Sequence, residues 1–327
     1  MAVEDCKWTS VGRSDAGTDL GELKHRRVLM ESKKITDVSV ICANFNNGRY
    51  LDACIDSVAN GTSWPKEMIV VDDGSTDDSV EVLSRKAEQY SWLKPVFLIE
   101  NQGVANASNF GSKAAIGKYL LRLDSDDMVA ADRIEKQFDF LESNPAVDVY
   151  AANCCYIDSE TNQPIRTSNF PTSPSGIERL FKKGENGVVN GTTMVRRKWF
   201  DHFQYRQEMV WAEDYDFFAR LLHAGARFAA SADANTFVRI HRSSSTSNLT
   251  FDTIEKAWLI SRDLFGNKAP LWRVKLNFFH TCFYRKALLS TGSAKRLALM
   301  ATSAAFRPDK IIKRARRRAT SGIPRWS

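Results

Sequence analysis

Between residues 38 and 128 three short apolar runs each end in a polar or acidic cluster, and that repeat leaves few folds open. The first is Val38-Ser39-Val40-Ile41-Cys42, followed by Asn44-Phe45-Asn46-Asn47. The second, Met68-Ile69-Val70-Val71, ends in Asp72-Asp73-Gly74-Ser75-Thr76-Asp77. The third, Tyr119-Leu120-Leu121-Arg122-Leu123, ends in Asp124-Ser125-Asp126-Asp127. Short β-branched or aliphatic runs alternating with helical periodicity predict parallel strands in βαβ units. Ligands of open α/β sheets sit beyond the carboxyl ends of the strands. The three polar clusters therefore fall where a ligand belongs.

The intervening text supports this. Leu51, Cys54, Ile55 and Val58 share one helical face, closed by Asn60-Gly61. Asp77-Asp78-Ser79 is suited to capping a helix that carries Val80, Leu83 and Ala87. A strand is expected at residues 96–99, a helix from the Asn101-Gln102-Gly103 turn to about residue 116, and another helix bearing Ile134, Phe138 and Leu141. A fifth strand is expected at 147–151. Residues 158–176 read as a long connection, 177–181 and 217–224 as helices, 236–241 as a strand, and the chain beyond residue 251 as mostly helical. The fold class is α/β: a mixed, mostly parallel Rossmann-like sheet flanked by helices, with a helical C-terminal extension. The expected division is a flexible extension over 1–34 (with a helix around 20–32), a main domain over 35–250, helices over 251–306 and a basic tail over 307–327.

Composition narrows the function classes. The chain has 327 residues, 43% hydrophobic and 26% charged, ordinary for a globular protein. No secretory signal is expected at the start of the chain, and no run reaches the ~20 apolar residues that span a bilayer. The six cysteines form no Cys-x-x-Cys pair, which suggests incidental thiols in a reducing cytosol. Residues 307–327 contain eight Lys/Arg and one Asp, matching the whole net charge of +7. The tail thus reads either as a membrane-surface segment for anionic lipid or as a solvated basic end. A formally neutral remainder argues against nucleic-acid binding.

Several residues invite chemical roles, each beside a plainer one. Three carboxylates in Asp124-Ser125-Asp126-Asp127 repel one another unless a cation or solvent intervenes. They suit Mg²⁺ or Mn²⁺, or a solvated helix N-terminus. Asp72-Asp73-Gly74-Ser75 suits contacts to a uracil N–H or ribose hydroxyls, or a turn and cap. Phe45 suits stacking on a base, or core packing. Asn101-x-Gly103 suits close backbone approach, or an ordinary loop. Glu213-Asp214 suits proton abstraction from a hydroxyl, or simple complementation of a helix dipole. His241, between Arg239 and Arg242, suits a metal or diphosphate ligand, or a structural ring.

Taken together, these residues resemble the family-2 glycosyltransferases, inverting enzymes of the GT-A fold. The resemblance spans about residues 38–248. It is carried by Val38-Ser39-Val40-Ile41, Val71-Asp72-Asp73-Gly74-Ser75-Thr76-Asp77, Asn101-x-Gly103 with Ala107-x-Asn109-x-Gly111, Asp124-Ser125-Asp126-Asp127, Glu213-Asp214-Tyr215-Asp216 and Arg239-Ile240-His241 before a serine-rich loop. It implies a nucleotide-diphosphate sugar as donor, with a UDP-linked sugar expected. Asp73 would then bind the uracil, Phe45 lie against the base and Asp124 touch the ribose, with Ala43, Asn101 and Gly103 also on the nucleotide side. Asp126, Asp127 and His241 would serve a Mg²⁺ or Mn²⁺ and the diphosphate. Asp214 would be the catalytic base and Glu213 its positioning partner. The acceptor would be a glycan or lipid-linked hydroxyl in cell-surface polysaccharide synthesis, met near residues 190–194 and the helical C-terminal third. The location implied is cytoplasmic, peripheral on the inner face of a membrane. Three positions depart from the family: Ala43 for proline, Phe45 for tyrosine and Ser108 for arginine. Two other readings share some features. A nucleotidyltransferase would want a glycine-rich basic loop at the first strand, which Ala43-Asn44-Phe45-Asn46 is not. A non-catalytic nucleotide-sugar-binding subunit would have no use for Glu213-Asp214.

Overall fold

Alternation along the central strands decides the layering. In the computed structural model, residues 33–241, 250–288 and 292–307 are described, apart from the side chains of Arg285 and Leu288. The expected N-terminal extension, apart from its last residues, the serine-rich loop and the basic tail beyond Arg307 lie outside these. Strand β1 (Lys34–Asn44) sends Val38, Val40 and Cys42 into one core and Ile41 into another. Strands β2 (Ser63–Asp72) and β4 (Tyr119–Arg122) do the same, with Met68, Val70, Tyr119 and Leu121 on the first side and Ile69, Val71 and Leu120 on the second. A strand buried on both faces reads as a continuous apolar run, as these do.

Helices cover both faces. On the first lie α1 (Gly48–Ala59), α2 (Ser79–Gln89) and α4 (Arg133–Ser143), through Leu51, Ile55, Leu83 and Ile134. On the second lie α3 (Val104–Ala114), α5 (Pro174–Phe181), α6 (Glu213–His223) and α7 (Phe251–Phe265), through Ala107, Phe181, Phe217 and Ile260. Two more helices, α8 (Leu271–Leu288) and α9 (Ser293–Phe306), pair with each other beyond α7.

The remaining strands are β3 (Leu93–Phe97), β5 (Met128–Val129), β6 (Val149–Asp158), β7 (Pro164–Thr167), β8 (Met194–Arg196) and β9 (Phe228–Ile240). Among the described residues the sheet has nine strands and runs β3-β2-β1-β4-β8-β6-β9-β5, with β7 on β6. Its parallel ladders, β1 with β2 and β4, β2 with β3, and β6 with β9, are the long ones. The antiparallel ladders hold two or three residue pairs each. The sheet is therefore mixed and mostly parallel, as expected.

Several boundaries differ from expectation. The third strand sits earlier than 96–99, because the parallel register pairs Met68 with Leu93 and Asp72 with Phe97, leaving Ile99 wholly exposed. The fifth long strand extends to Asp158, since the ladder to β9 continues past a polar Asn153 that breaks the apolar pattern. The supposed connection over 158–176 contains β7, whose Pro164 and Arg166 mask a strand at the sheet's margin. Asp77 helps to cap α2 from just outside: its carboxylate accepts from the Ser79 N–H at 3.0 Å and the Gly48 N–H at 2.9 Å, which ties the starts of α1 and α2 together. Asp78, at the cap position itself, makes no side-chain cap bond.

Candidate active site

Register brings the polar clusters to one edge. Asn44 stands beside Asp72 in the β1–β2 ladder, and its Nδ2 donates to Asp72 Oδ1 at 2.7 Å. The next residue, Asp73, is 2% exposed. Its two carboxylate oxygens accept from the Gln102 and Gly103 N–H groups, each at 2.8 Å. Asp73 thus holds the loop before α3 in place, and Gly103 meets it at φ +88°, a conformation that favours glycine. Asn101 is exposed on that loop, Ala43 is half-buried, and Phe45 is 44% exposed at the strand's end rather than in the core.

The Asp124–Asp127 cluster follows β4. Asp124 keeps 45% of its side chain open, whereas Asp127 is 3% exposed. Burial, with Asp126 and Asp124 alongside, holds the Asp127 carboxyl well above the usual range. Its Oδ1 accepts from the Arg239 N–H at 2.9 Å. Asp126 Oδ2 meets His241 Nε2 at 2.8 Å, and Arg239 donates to the Asp126 carbonyl. The end of β9 is therefore clasped to the cluster, and Asp126, Asp127 and His241, far apart in sequence, are brought together.

Beneath the carboxylates lie two buried guanidinium groups that the sequence reading passed over. Arg122 donates to the Ile41 carbonyl at 3.1 Å and lies 3.3 Å from Asp124 Oδ1. Arg133, fully buried, donates to the Arg122 carbonyl at 3.0 Å and to Gln137 Oε1 at 3.1 Å. Burial pulls Arg133 down to about 9, against the opposing fields of Asp127 and Asp124. Part of the cation that the carboxylate cluster demands is thus the protein's own. An arginine inside the apolar run Tyr119-Leu120-Leu121-Arg122-Leu123 was the available sign.

The other acidic pair stands in the first turn of α6. Asp214 accepts from Asn186 Nδ2 at 3.1 Å and from its neighbour's Tyr215 N–H at 2.6 Å. Desolvation pushes Asp214 up to about 6, opposed by the Tyr215 N–H and reinforced by Asp124. Glu213 is pushed up to about 7 by desolvation, then by Asp214, with Asp124 contributing. Its Oε2 is buried with no hydrogen-bond partner among the described residues. Asp124 reaches both residues through its field, and packing links the two groups: the Tyr205 ring lies 5.9 Å from the Arg122 guanidinium and stacks at 4.4 Å on Phe217 of α6. Against the Asp124–Asp127 side packs the 3-10 turn Asn190–Thr192. A Cβ on Gly191 would lie 3.2 Å from Asp124 Oδ2 and 3.8 Å from Asp127 Oδ2, so both oxygens converge on that turn. Tyr205 closes the wall: its hydroxyl lies 3.1 Å from Asn190 Oδ1, and its backbone is held at both ends by Asn109 at 2.8 Å. Just before the pair, Trp211 adopts φ +66° and leaves 46% of its side chain exposed. Such backbone strain in a bulky residue persists only where surroundings impose it.

Among the described residues no three His, Cys, Asp or Glu side chains form a ready-made metal cage. A Mg²⁺ or Mn²⁺ ion does not need one, since it is commonly held by one or two carboxylates together with substrate phosphates and water. The hard oxygen donors of Asp126 and Asp127, each with one carboxylate oxygen held by the end of β9, fit that mode.

The Glycosyl transferase family 2 model matches residues 39–203, about half of the chain. An uncharacterized glycosyltransferase of Haemophilus influenzae is 33% identical over 212 residues, 64% of this chain and 82% of that protein. The chain belongs to glycosyl transferase family 2. Another relative, the cholesterol galactosyltransferase of Borreliella burgdorferi, is 28% identical over 268 residues, covering 76% of this chain and 73% of its own. Among solved structures, S. aureus TarS 1-349 in complex with UDP-GlcNAc superposes with a TM-score of 0.57 at 18% identity, over 82% of this chain and 80% of that one. The shared fold is the GT-A fold of this family, and the chain is a glycosyltransferase.

Proposed function

We propose that this family-2 glycosyltransferase moves a sugar from a UDP-linked donor to an acceptor hydroxyl with inversion at the anomeric carbon. The observation that supports the reading is the nearness of Asp214 to the Asp124–Asp127 cluster, linked through Tyr205, which lies over Arg122 and stacks on Phe217 of the helix that carries Asp214. TarS, alike in fold, is described bound to UDP-GlcNAc and to UDP, which supports a UDP-sugar in the same place.

In this reading Phe45 stacks on the base. Asp73 accepts from the uracil N–H or fixes the loop that does, with Ala43, Asn101 and Gly103 alongside. Asp124 receives the ribose hydroxyls. Asp126 and Asp127, steadied by His241 and Arg239, would hold a Mg²⁺ or Mn²⁺ that neutralises charge on the departing diphosphate. Asp214 takes the proton of the acceptor hydroxyl. The oxygen's electron pair then forms the new bond to the anomeric carbon while the bond to the diphosphate oxygen breaks. Burial and the field of Asp124 keep the base raised, Glu213 beside it is its positioning partner, and Asn186 aims it. With the base near 6, most of it is ionised at neutral pH, where a normal aspartate would be a weaker proton acceptor. The exposed ring of Trp211 offers an apolar face for an acceptor sugar, and residues 190–194 line the way in.

The acceptor is taken to be a glycan or lipid-linked hydroxyl of a cell-surface polymer. The chain's catalytic unit is taken as residues 35–250, with helices to 306 and a basic tail that meets an anionic inner membrane face. No described helix is long and apolar enough to cross a bilayer. A screen of nucleotide sugars with Mn²⁺ and with Mg²⁺ for slow donor hydrolysis tests the donor reading without a known acceptor. Cleavage of a UDP-sugar that stops on chelation supports it. Cleavage unaffected by chelation removes the metal, and hydrolysis confined to other nucleotides removes UDP.

A further inference from the structure

The neutral middle of the chain is a cancellation. Residues 38–263 carry 24 Lys/Arg against 31 Asp/Glu, whereas residues 264–306 carry seven Lys/Arg and not one Asp or Glu. The acid-free stretch includes the α8–α9 pair. Basic character therefore does not belong to the tail alone, as the sequence reading had it; it begins where the catalytic unit ends.

The same helices are apolar and uncovered. Among their described side chains only Ala287 and Ser303 are buried. Trp272 is 62% exposed, Phe279 42% and Leu297 72%. At 3.6 residues per turn, Trp272, Lys275, Phe279 and Lys286 fall within an arc of about 60° on α8, and all four are exposed. In α9, Lys295, Arg296 and Leu297 are exposed together. A water-facing helix ordinarily hides such a stripe or replaces it with polar residues of both signs. Aromatic and aliphatic side chains interleaved with cations, with anions wholly absent, match a lipid headgroup layer over its acyl boundary.

We infer that the α8–α9 pair is a docking surface for an anionic phospholipid bilayer, lying on the membrane rather than in it. Charge complementarity selects this occupant. A nucleic acid would satisfy the cations but leave Trp272, Phe279 and Leu297 in water, whereas a bilayer takes both. The pair is fastened to the catalytic unit through α7, which packs against α6 and therefore against the helix that carries Asp214. Trp258 of α7 also abuts Gly184, two residues before the Asn186 that holds Asp214. The docking does not rest on the donor or acceptor assignment.

The test is co-sedimentation of the full chain with vesicles of phosphatidylcholine alone and of phosphatidylcholine with about one-third phosphatidylserine. Anionic vesicles should capture the chain at least about tenfold better, and high salt should erase much of that gain. The double variant Lys275→Glu/Lys286→Glu, with the tail intact and an unchanged melting temperature, should lose about tenfold or more in partitioning. A chain truncated after Arg307 should bind better than that double variant. Should the charge reversals unfold the protein, Trp272→Phe is the second probe. It should reduce tryptophan quenching by brominated lipid relative to the wild-type chain. Equal capture by neutral and anionic vesicles would overturn the inference. So would full binding by the folded double variant, tighter binding to single-stranded RNA than to anionic vesicles, or quenching unaltered in Trp272→Phe.

Discussion

Asp214 owes its character to competing neighbours. Desolvation and Asp124 raise its carboxyl to about 6, while the Tyr215 N–H and Asn186 hold it down. Removing the amide in Asn186→Ala should lift the base further, so the acid limb of kcat/KM, expected between about pH 6 and 7 for the pair, should move to higher pH. A limb that stays put would make Asn186 structural only. Stability carries the opposite sign of a salt-bridged aspartate. The folded carboxyl binds its proton more tightly than the unfolded one, so its cost is absent below the unfolded pKa and grows as pH rises towards about 6. Asp214→Asn should therefore raise the melting temperature at pH 8 and leave it nearly unchanged at pH 4. Sequence made Asp73, Asp124, Asp126, Asp127, Asp214 and His241 legible because acids after apolar runs and at helix starts stand out. It hid Asn186, Tyr205, Arg122 and Arg133, because their partners are named only by the fold.

At the scale of elements, helix and strand identity followed from periodicity wherever burial was two-sided or faced one way. It failed where strands were short or marginal. The two-residue β5 and the four-residue β7 carry too little pattern to announce themselves. The turn Asn190–Thr192 was read as an acceptor region, and its packing under Asp124 came only from the structure. Its glycine gives a sharp test. In Gly191→Ala the new Cβ presses on Asp124 Oδ2 from 3.2 Å, and Asp124 must swing into the cleft. Because that side chain is nearly half open, the stability loss should stay near or below about 1 kcal/mol, while donor affinity falls several-fold. A drop in melting temperature with unchanged donor binding would show that Asp124 does not meet the donor. The loop held by Asp73 behaves differently. Asp73→Ala removes the carboxylate acceptor of the Gln102 and Gly103 N–H groups, at a cost of about 1.5–3 kcal/mol for hydrogen bonds to a charged group, visible as earlier denaturant unfolding.

For the whole molecule, the sheet order places β1, β2 and β4 with their carboxyl ends side by side, and β9 returns Arg239 and His241 to that edge. The α/β class was readable because three strand-end clusters recur at βαβ spacing, and the GT-A fold through the family resemblance that those motifs carry. The charge partition was not, because an acidic catalytic unit and a basic helical pair sum to zero when counted together. The account stands on Asp214 acting as base over a donor held by the opposite cluster. The most direct measurement is the turnover of the preferred UDP-sugar by Asp214→Asn, beside the donor's binding constant by calorimetry. Removing a general base should slow turnover by roughly a hundredfold to ten-thousandfold while donor affinity stays within a few-fold. Turnover retained at near wild-type rate, or donor binding lost along with it, would contradict the account.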